Sequence, residues 1–408
     1  MLNHHQPSAE VISYVKDIPV YRRAIDNHYF PVLEKPEIAK NFPENWMTPQ
    51  LADALASGKA EMVLSTGTHH ARMQIIRPPL FLLHSYYELW RQHPDIGVTW
   101  ALGCQRISLT TMLATEHVAR VNAKKGTSQS ALQRRRLDAR TLYLNKVLDP
   151  ARWSRDDVVD MLDDIKSIQQ QHPAGLYHLD CSSYHLMHLL LKIAEFNLDD
   201  DFPEPGSIVH AYEYTPSNVR AFLINRFACP VIDLFGSTEL GYLYYNDRQG
   251  RYVPYLDKMA IELIPFVAGS SVYSLIVSSV RNPYMPLIRY RTGDCVQTTD
   301  GTANPEKVMR FCGREKEMLF TPKGILSQAD FDDLIAAVSG DIFIYQLKVN
   351  EDDSLLLSYT TFGQNPISSM LTEKLHGLIV NSTGLDVLIT HQTHIPIGKS
   401  GKYAWIQQ

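Results

Sequence analysis

Five cysteines in 408 residues, with no Cys-x-x-Cys pair among them, are too few and too scattered for a zinc ribbon or a disulfide framework. Cys104, Cys181, Cys229, Cys295 and Cys312 read as isolated thiols of a reduced compartment, so a cytoplasmic location is expected. No apolar run is long enough to span a bilayer, and no membrane partner is expected. The first residues, Met1-Leu2-Asn3-His4-His5, lack the basic, apolar, small-residue order of a signal peptide. Positive charge is not in excess: the net charge is −5, which argues against a general nucleic-acid partner and leaves room for a local nucleotide site. Repeats and low-complexity tracts are absent, which excludes solenoids and biased disordered arrays. The sixteen histidines are dispersed, and adjacent ones such as His69-His70 would point apart on a helix.

What remains is an ordinary globular composition, 45% hydrophobic and 20% charged, in a chain long enough for two domains. Residues 1 to about 60 read as helical, with a stop at Gly58. Met62-Val63-Leu64 reads as a strand, Leu80 to His93 as a helix packing on the core, and Gly97 to Leu102 as a buried strand. From Val158 onward helices and strands alternate: helix to Gln170, strand Leu176 to Asp180, helix Leu186 to Phe196, strand and turn Ser207 to Glu213, helix Asn218 to Phe227, strand Pro230 to Leu234. That alternation predicts an α/β layer. Short β-like runs with Pro and Gly turns fill the space from Gly250 to Phe311. After Gly313 the order is β, α, β, β, α, β, with a capping box at Ser327 to Asp330. The expectation is an α/β protein: a large N-terminal multi-layer α/β domain with a β subdomain, 1–312, and a small mobile C-terminal α+β domain, 313–408.

Several loops carry chemistry. Ser65-Thr66-Gly67-Thr68 follows a strand and offers hydroxyls and backbone N–H groups that can cradle phosphate oxygens. Phe235-Gly236-Ser237-Thr238-Glu239 ends a parallel strand, a good ligand position. There Thr238 can donate to a phosphate oxygen and Glu239 can hold Mg²⁺, a hard cation that takes oxygen ligands. Tyr290-Arg291-Thr292-Gly293-Asp294 is read as a turn at a strand end. It leaves the Asp294 carboxylate free to accept from paired ribose hydroxyls, with Arg314 as a second sugar or phosphate contact. Lys124-Lys125-Gly126 and Arg134-Arg135-Arg136 read as a solvated basic face, or as a contact for acceptor phosphates. A Gly-Lys loop near the end, Gly398-Lys399-Ser400-Gly401-Lys402, can swing a cation.

Taken together, Ser-Thr-Gly-Thr, Phe-Gly-Ser-Thr-Glu, Tyr-Arg-Thr-Gly-Asp, Gly313-Arg314 and Gly401-Lys402 occur in an order that resembles the adenylate-forming superfamily, most closely its phenylacetate–CoA ligase branch. The similarity runs from about Met62 to Lys402. His70 stands where a second glycine is usual, Phe235 replaces a tyrosine, and the arginine usual after the terminal lysine is missing. The resemblance implies an ATP-dependent AMP-forming ligase that activates an aryl or small acyl acid and passes it to a thiol. ATP, Mg²⁺ and CoA are the implied cofactors and co-substrate, with an acyl carrier protein or an amine as alternative acceptors. It further implies Lys402 as the catalytic lysine, with Gly398-Lys399 as the other register, and Tyr212 and Glu213 with Phe235 and Gly236 beside the adenine. His178, Asp180 and Ser183 would lie near the acyl pocket, and Lys316 at the hinge. His185 and His188 read as packing residues. The alternative from another class is a nucleotide-binding relative without catalysis. Monomer and homodimer both remain open.

Overall fold

The computed structural model describes residues 7–64, 73–123, 130–145, 147–199, 202–247, 249–257, 259–398 and 401–407. By contacts the chain divides into two compact units, one of Met1–Leu89 with Leu234–Lys316 and the other of Trp90–Asp233 with Glu317–Gln408.

The first unit is built on an antiparallel sheet in the order Met259–Pro265, Val272–Ser279, Leu287–Thr298, Val308–Arg314. A short hairpin joins Glu61–Leu64 to Gln74–Arg77. Another antiparallel pair, Gly241–Asn246 with Tyr252–Pro254, follows the end of the strand Val231–Ser237. Met259–Pro265 alternates buried and half-exposed residues, the period-2 signature of a sheet with one dry face. Trp46, Ile75, Leu275, Val277 and Tyr290 belong to one core.

In the second unit the strands Thr141–Tyr143, Arg106–Leu109, His178–Cys181, Ser207–His210 and the start of Val231–Ser237 pair in parallel in that order. Parallel strands need crossover helices, and the sequence supplies them. Arg155–Gln171 begins with a capping box in which Ser154 and Asp157 satisfy each other's backbone N–H. It buries Val158, Met161, Leu162, Ile165 and Ile168, a helical stripe. Ser183–Glu195 and Ser217–Arg226 complete the layer. The C-terminal part forms a sheet in the order Val387–His391, Leu355–Thr361, Ile342–Val349, Ile406–Gln407, with helices Gln328–Ala336 and Ser369–Thr383. The result is the mixed α/β architecture expected from the sequence, with an antiparallel β layer and a C-terminal α+β portion.

Two readings are corrected. Residues 97–102, expected as a strand, begin with the helix Gly97–Ala101. The Val98-Thr99-Trp100 run has β propensity, but Thr99 turns its hydroxyl back to the Ile96 carbonyl at 2.7 Å, and Gly103 at φ +78° closes the end. Tyr290 to Asp294 is not a turn after a strand. It lies inside the continuous strand Leu287–Thr298, where Ile276 pairs with Arg291 and Ser274 with Cys295. Three residues of one strand, Thr292 to Asp294, therefore face the single Leu275 of its neighbour, and Gly293 at φ +82° takes up the excess as a bulge.

Candidate functional site

In the first unit the bulge determines where the motif side chains go. The Thr292 hydroxyl donates to the Leu275 carbonyl at 3.1 Å and accepts from the Asp294 backbone N–H at 3.1 Å, so the bulge is tied down on both sides. Asp294 pairs across the ladder with Arg314. The Arg314 Nε to Asp294 Oδ1 distance is 3.9 Å, with 32% and 21% of the two side chains exposed. The contact is loose and open enough for ligand hydroxyls to reach both groups. Burial raises the Asp294 pKa, and the charges of Arg314 and Lys35 oppose that rise. Glu239 adds its own negative charge to the same neighbourhood. Glu239 is buried, and its Oε1 accepts a hydrogen bond from the Tyr290 hydroxyl at 2.8 Å. Burial first, and then the Glu239 charge, push the Tyr290 phenol well above its ordinary pKa. Tyr290 opens the Tyr-Arg-Thr-Gly-Asp motif, but nothing local points to its partner, which lies 51 residues away.

The Phe235 to Glu239 segment is shaped by close backbone packing. The Phe235 ring stacks on Phe311 with centroids 3.8 Å apart. Gly236 has no room for a side chain: a Cβ there would lie 2.4 Å from the Gly241 carbonyl oxygen and 2.8 Å from Tyr242 Cα. Thr238 is half-buried just beyond the strand end. No group of three or more His, Cys, Asp or Glu side chains suited to hold a metal exists among the described residues. A single buried carboxylate with one oxygen engaged by a phenol fits Mg²⁺ of the kind that takes its remaining ligands from substrate phosphates and water.

In the second unit Glu213 follows the strand Ser207–His210. Its Oε1 accepts from the Ser182 hydroxyl and its Oε2 from the Tyr403 backbone N–H at 3.4 Å. Burial raises the Glu213 pKa, opposed by those bonds and by the positive charge of Lys402. Lys402 sits in a tight turn, with Gly401 N–H donating to the Gly398 carbonyl at 2.9 Å and Gly398 N–H to the Lys402 carbonyl at 3.0 Å. Gly401 at φ +71° packs so closely that a Cβ would lie 2.1 Å from Thr111 Oγ1. Ser183, Glu213 and Tyr403 line one crevice of about 10 Å³, space for a single water. Tyr212 has φ +81°, a strained value for a residue with a side chain, and its hydroxyl donates to Asp180 Oδ2 at 3.0 Å. Asp180 is fully buried and ion-paired with Arg106. His178 is also fully buried, stacked on Trp90 at 4.1 Å and bonded through Nδ1 to Ser207 Oγ at 2.6 Å. Burial, and then the Arg106 charge, hold it well below the ordinary imidazole pKa. His185 and His188 are packed among aromatic rings, and burial lowers both to about 3.

The motif residues thus gather in two places: Glu239, Asp294 and Arg314 around Tyr290 in one unit, and Glu213 with Lys402 in the other. The division between the units falls directly after Lys316, which is exposed. Ser65, Thr66, Gly67, Thr68, Lys124 to Gly126 and Lys399 lie outside the described residues. Arg135, from the basic stretch, ion-pairs with Asp164 at 2.7 Å.

No protein-family model matches the chain. Protein CapK of Staphylococcus aureus is 23% identical over 175 residues, which is 41% of this chain and 38% of that protein's length. Among solved structures, 2-hydroxyisobutyryl-CoA ligase in the postadenylation state, in complex with R3-HIB-AMP, superposes with a TM-score of 0.66 at 13% identity over 98% of this chain and 87% of that one. A benzoate CoA ligase from Burkholderia xenovorans LB400 gives 0.56 at 14% identity, over 84% of this chain and 67% of that one. ATP-bound MatB from Rhodopseudomonas palustris gives 0.53 at 13% identity, over 83% and 65%. At these identities the likeness is one of fold.

Proposed function

We propose that this chain, which has the fold of the acyl-CoA ligases, is an AMP-forming acid–thiol ligase. A carboxylate is a poor electrophile, because its leaving group would be oxide. In the proposed reaction a substrate carboxylate oxygen attacks the α-phosphorus of ATP and pyrophosphate departs, leaving an acyl-adenylate. The thiol sulfur, most naturally that of CoA, then attacks the acyl carbon. AMP leaves and the thiol proton is released. Two anions must meet in the first step, so the protein has to supply positive charge and fixed donors.

Asp294 and Arg314 would take the ribose, since they are adjacent, oppositely charged and part-exposed. Thr238 would donate to phosphate, and Glu239 would hold Mg²⁺, which neutralises phosphate charge when bound. Ser65, Thr66, Gly67 and Thr68 would cradle the β- and γ-phosphates. Tyr212, Glu213, Phe235 and Gly236 would border the adenine. Lys402 would act as a point charge between the carboxylate and the α-phosphate. Asp180 and His178 would form a rigid polar floor to the acyl pocket, with Ser183 at its edge. Residues 1–312 and 313–408 would act as two domains that turn about Lys316, which supplies the second half-reaction with a cleared site.

The observation that carries this reading is the Asp294–Arg314 cross-strand pair beside a buried Glu239 held by Tyr290. ATP–pyrophosphate exchange across a panel of aryl and small alkyl acids tests it. At least one acid should give exchange that Lys402→Ala abolishes, and CoA, a carrier protein or an amine should then discharge the adenylate. Blank exchange with every acid, alongside retained AMP binding, would favour a non-catalytic nucleotide-binding protein.

A further inference from the structure

An acid on an amphipathic helix normally faces water, but Asp332 on the helix Gln328–Ala336 is 2% exposed. Burial raises its pKa, so without partners the charge would be expelled. Four donors hold it. Oδ2 accepts from the Ser217 backbone N–H at 2.8 Å, the Ser217 hydroxyl at 2.6 Å and the Tyr214 hydroxyl at 3.1 Å. Oδ1 accepts from the Tyr345 hydroxyl at 3.2 Å. Three of these come from residues 214–217, and only Tyr345 shares the C-terminal α+β portion with Asp332. Asn218 adds two bonds in the same direction, from Nδ2 to the Ser339 and Ile342 carbonyls at 2.8 and 2.9 Å.

The segment that receives Asp332 begins one residue after Glu213, and Glu213 receives the Tyr403 N–H. The Tyr403 ring stacks on Tyr184 with centroids 6.1 Å apart. One stretch of six residues, 213–218, therefore docks both the helix carrying Asp332 and the turn carrying Lys402. We infer that Asp332 is a positioning residue: its bonds to Ser217 and Tyr214 clamp the C-terminal portion so that the Gly401-Lys402 turn rests against Glu213. The inference rests on the reading of Lys402 as the adenylating lysine. The clamp serves the first half-reaction and has to open for the second. Its donors are neutral and its acceptor charged, so it is strong enough to register and weak enough to release.

The test separates the half-reactions in the full chain. Asp332→Asn, and separately the pair Ser217→Ala with Tyr214→Phe, should lower pyrophosphate exchange by about tenfold, the scale of losing charge-assisted hydrogen bonds. Thioester formation from added acyl-adenylate and CoA should be unchanged or faster. Tyr345→Phe removes a donor from within the C-terminal fold and should spare the ratio of the two rates. Equal losses in both half-reactions, or none, would overturn the clamp. Hydrogen exchange in the ligand-free protein supplies a readout that does not depend on activity. The Ser217 and Tyr403 amides should exchange faster in Asp332→Asn, and unaltered protection would sink the inference even if the ligase reading stands. Should no acid give exchange in the natural chain, the ligase reading fails and the amide result still decides the clamp.

Discussion

The Tyr290 hydroxyl donates to Glu239 Oε1 at 2.8 Å, both groups are buried, and the two residues belong to motifs 51 positions apart. The phenol's pKa is raised by burial and by the Glu239 charge, so it stays a proton donor wherever the protein is folded. It therefore fixes one oxygen of the proposed Mg²⁺ ligand and leaves the other side of the carboxylate for the ion. Tyr290→Phe keeps the ring and removes the donor. The expected outcome is a folded protein less stable by roughly 1–3 kcal/mol, the cost of a buried acceptor losing its partner. Exchange should fall about tenfold and need more Mg²⁺ to saturate. A lower melting temperature with an unchanged Mg²⁺ dependence would mean that the bond serves the core alone.

Gly401 is closely packed in the Gly-Lys turn. A methyl group there would meet Thr111 Oγ1 at 2.1 Å and Thr111 Cβ at 3.1 Å, and φ +71° adds backbone strain for any L side chain. Gly401→Ala should displace Lys402 and cut pyrophosphate exchange by about tenfold or more, since misplacement by an ångström is costly in catalysis. Thermal unfolding should shift down as well, because Gly401 is buried and the flanking Ile397 and Tyr403 pack against the core. Thr111→Ala in the same chain opens the space but not the backbone strain, so it should restore part of the lost rate. Wild-type exchange in Gly401→Ala would remove the turn from the mechanism.

These relationships differ in how far they could be read from residues alone. The capping box at Ser327 was legible because it is completed within four residues. The strand–helix alternation from 158 to 234 was legible for the same reason: periodicity is local. Residues 97–101 misled because Val, Thr and Trp favour strands, while the helix is fixed by side chain–backbone bonds and a glycine stop. The two-residue strand Ile406–Gln407 has no pattern of its own and exists through parallel pairing with Leu347 and Lys348. Of the site, the motifs pointed to Asp294, Arg314, Glu239 and Lys402, whereas the bulge at Gly293 depends on a register shift that only pairing reveals. The bonds made by Tyr290 and Asp332 carry no local signal, since their partners are 51 and 115 positions away.

Gly236 tests whether the Phe235 to Glu239 segment is held by packing or by its ligand. A Cβ at this position would collide with backbone, the Gly241 carbonyl at 2.4 Å and Tyr242 Cα at 2.8 Å, and backbone cannot rotate away. Gly236→Ala should cost roughly 1–3 kcal/mol in chemical denaturation, the usual penalty of overpacking. Nucleotide binding should weaken with it, because Thr238 and Glu239 follow directly. Full stability in that variant would show that the two strands can part there without loss.

Acid should unfold the second unit through its buried imidazoles. His185 and His188 both titrate near pH 3 in the folded chain because burial disfavours their charged forms. In the unfolded chain an imidazole titrates near 6.5. Above that value both states are neutral and the pair contributes no pH dependence. Between about 6.5 and 3 the unfolded chain binds protons that the folded one refuses, so stability falls as the pH is lowered, by on the order of 1 kcal/mol per pH unit for each ring. Ordinary carboxylates add their own effect mainly below about pH 5, and His178, also held low by burial, acts in the same direction, so the interval from 6.5 to 5 weights the buried imidazoles most. Urea midpoints should drop across it, and His188→Leu, whose ring packs against Tyr184 at 4.5 Å and Phe343 at 5.2 Å, should flatten the slope. An identical acid slope in the variant would mean that His188 takes up its proton without unfolding the protein.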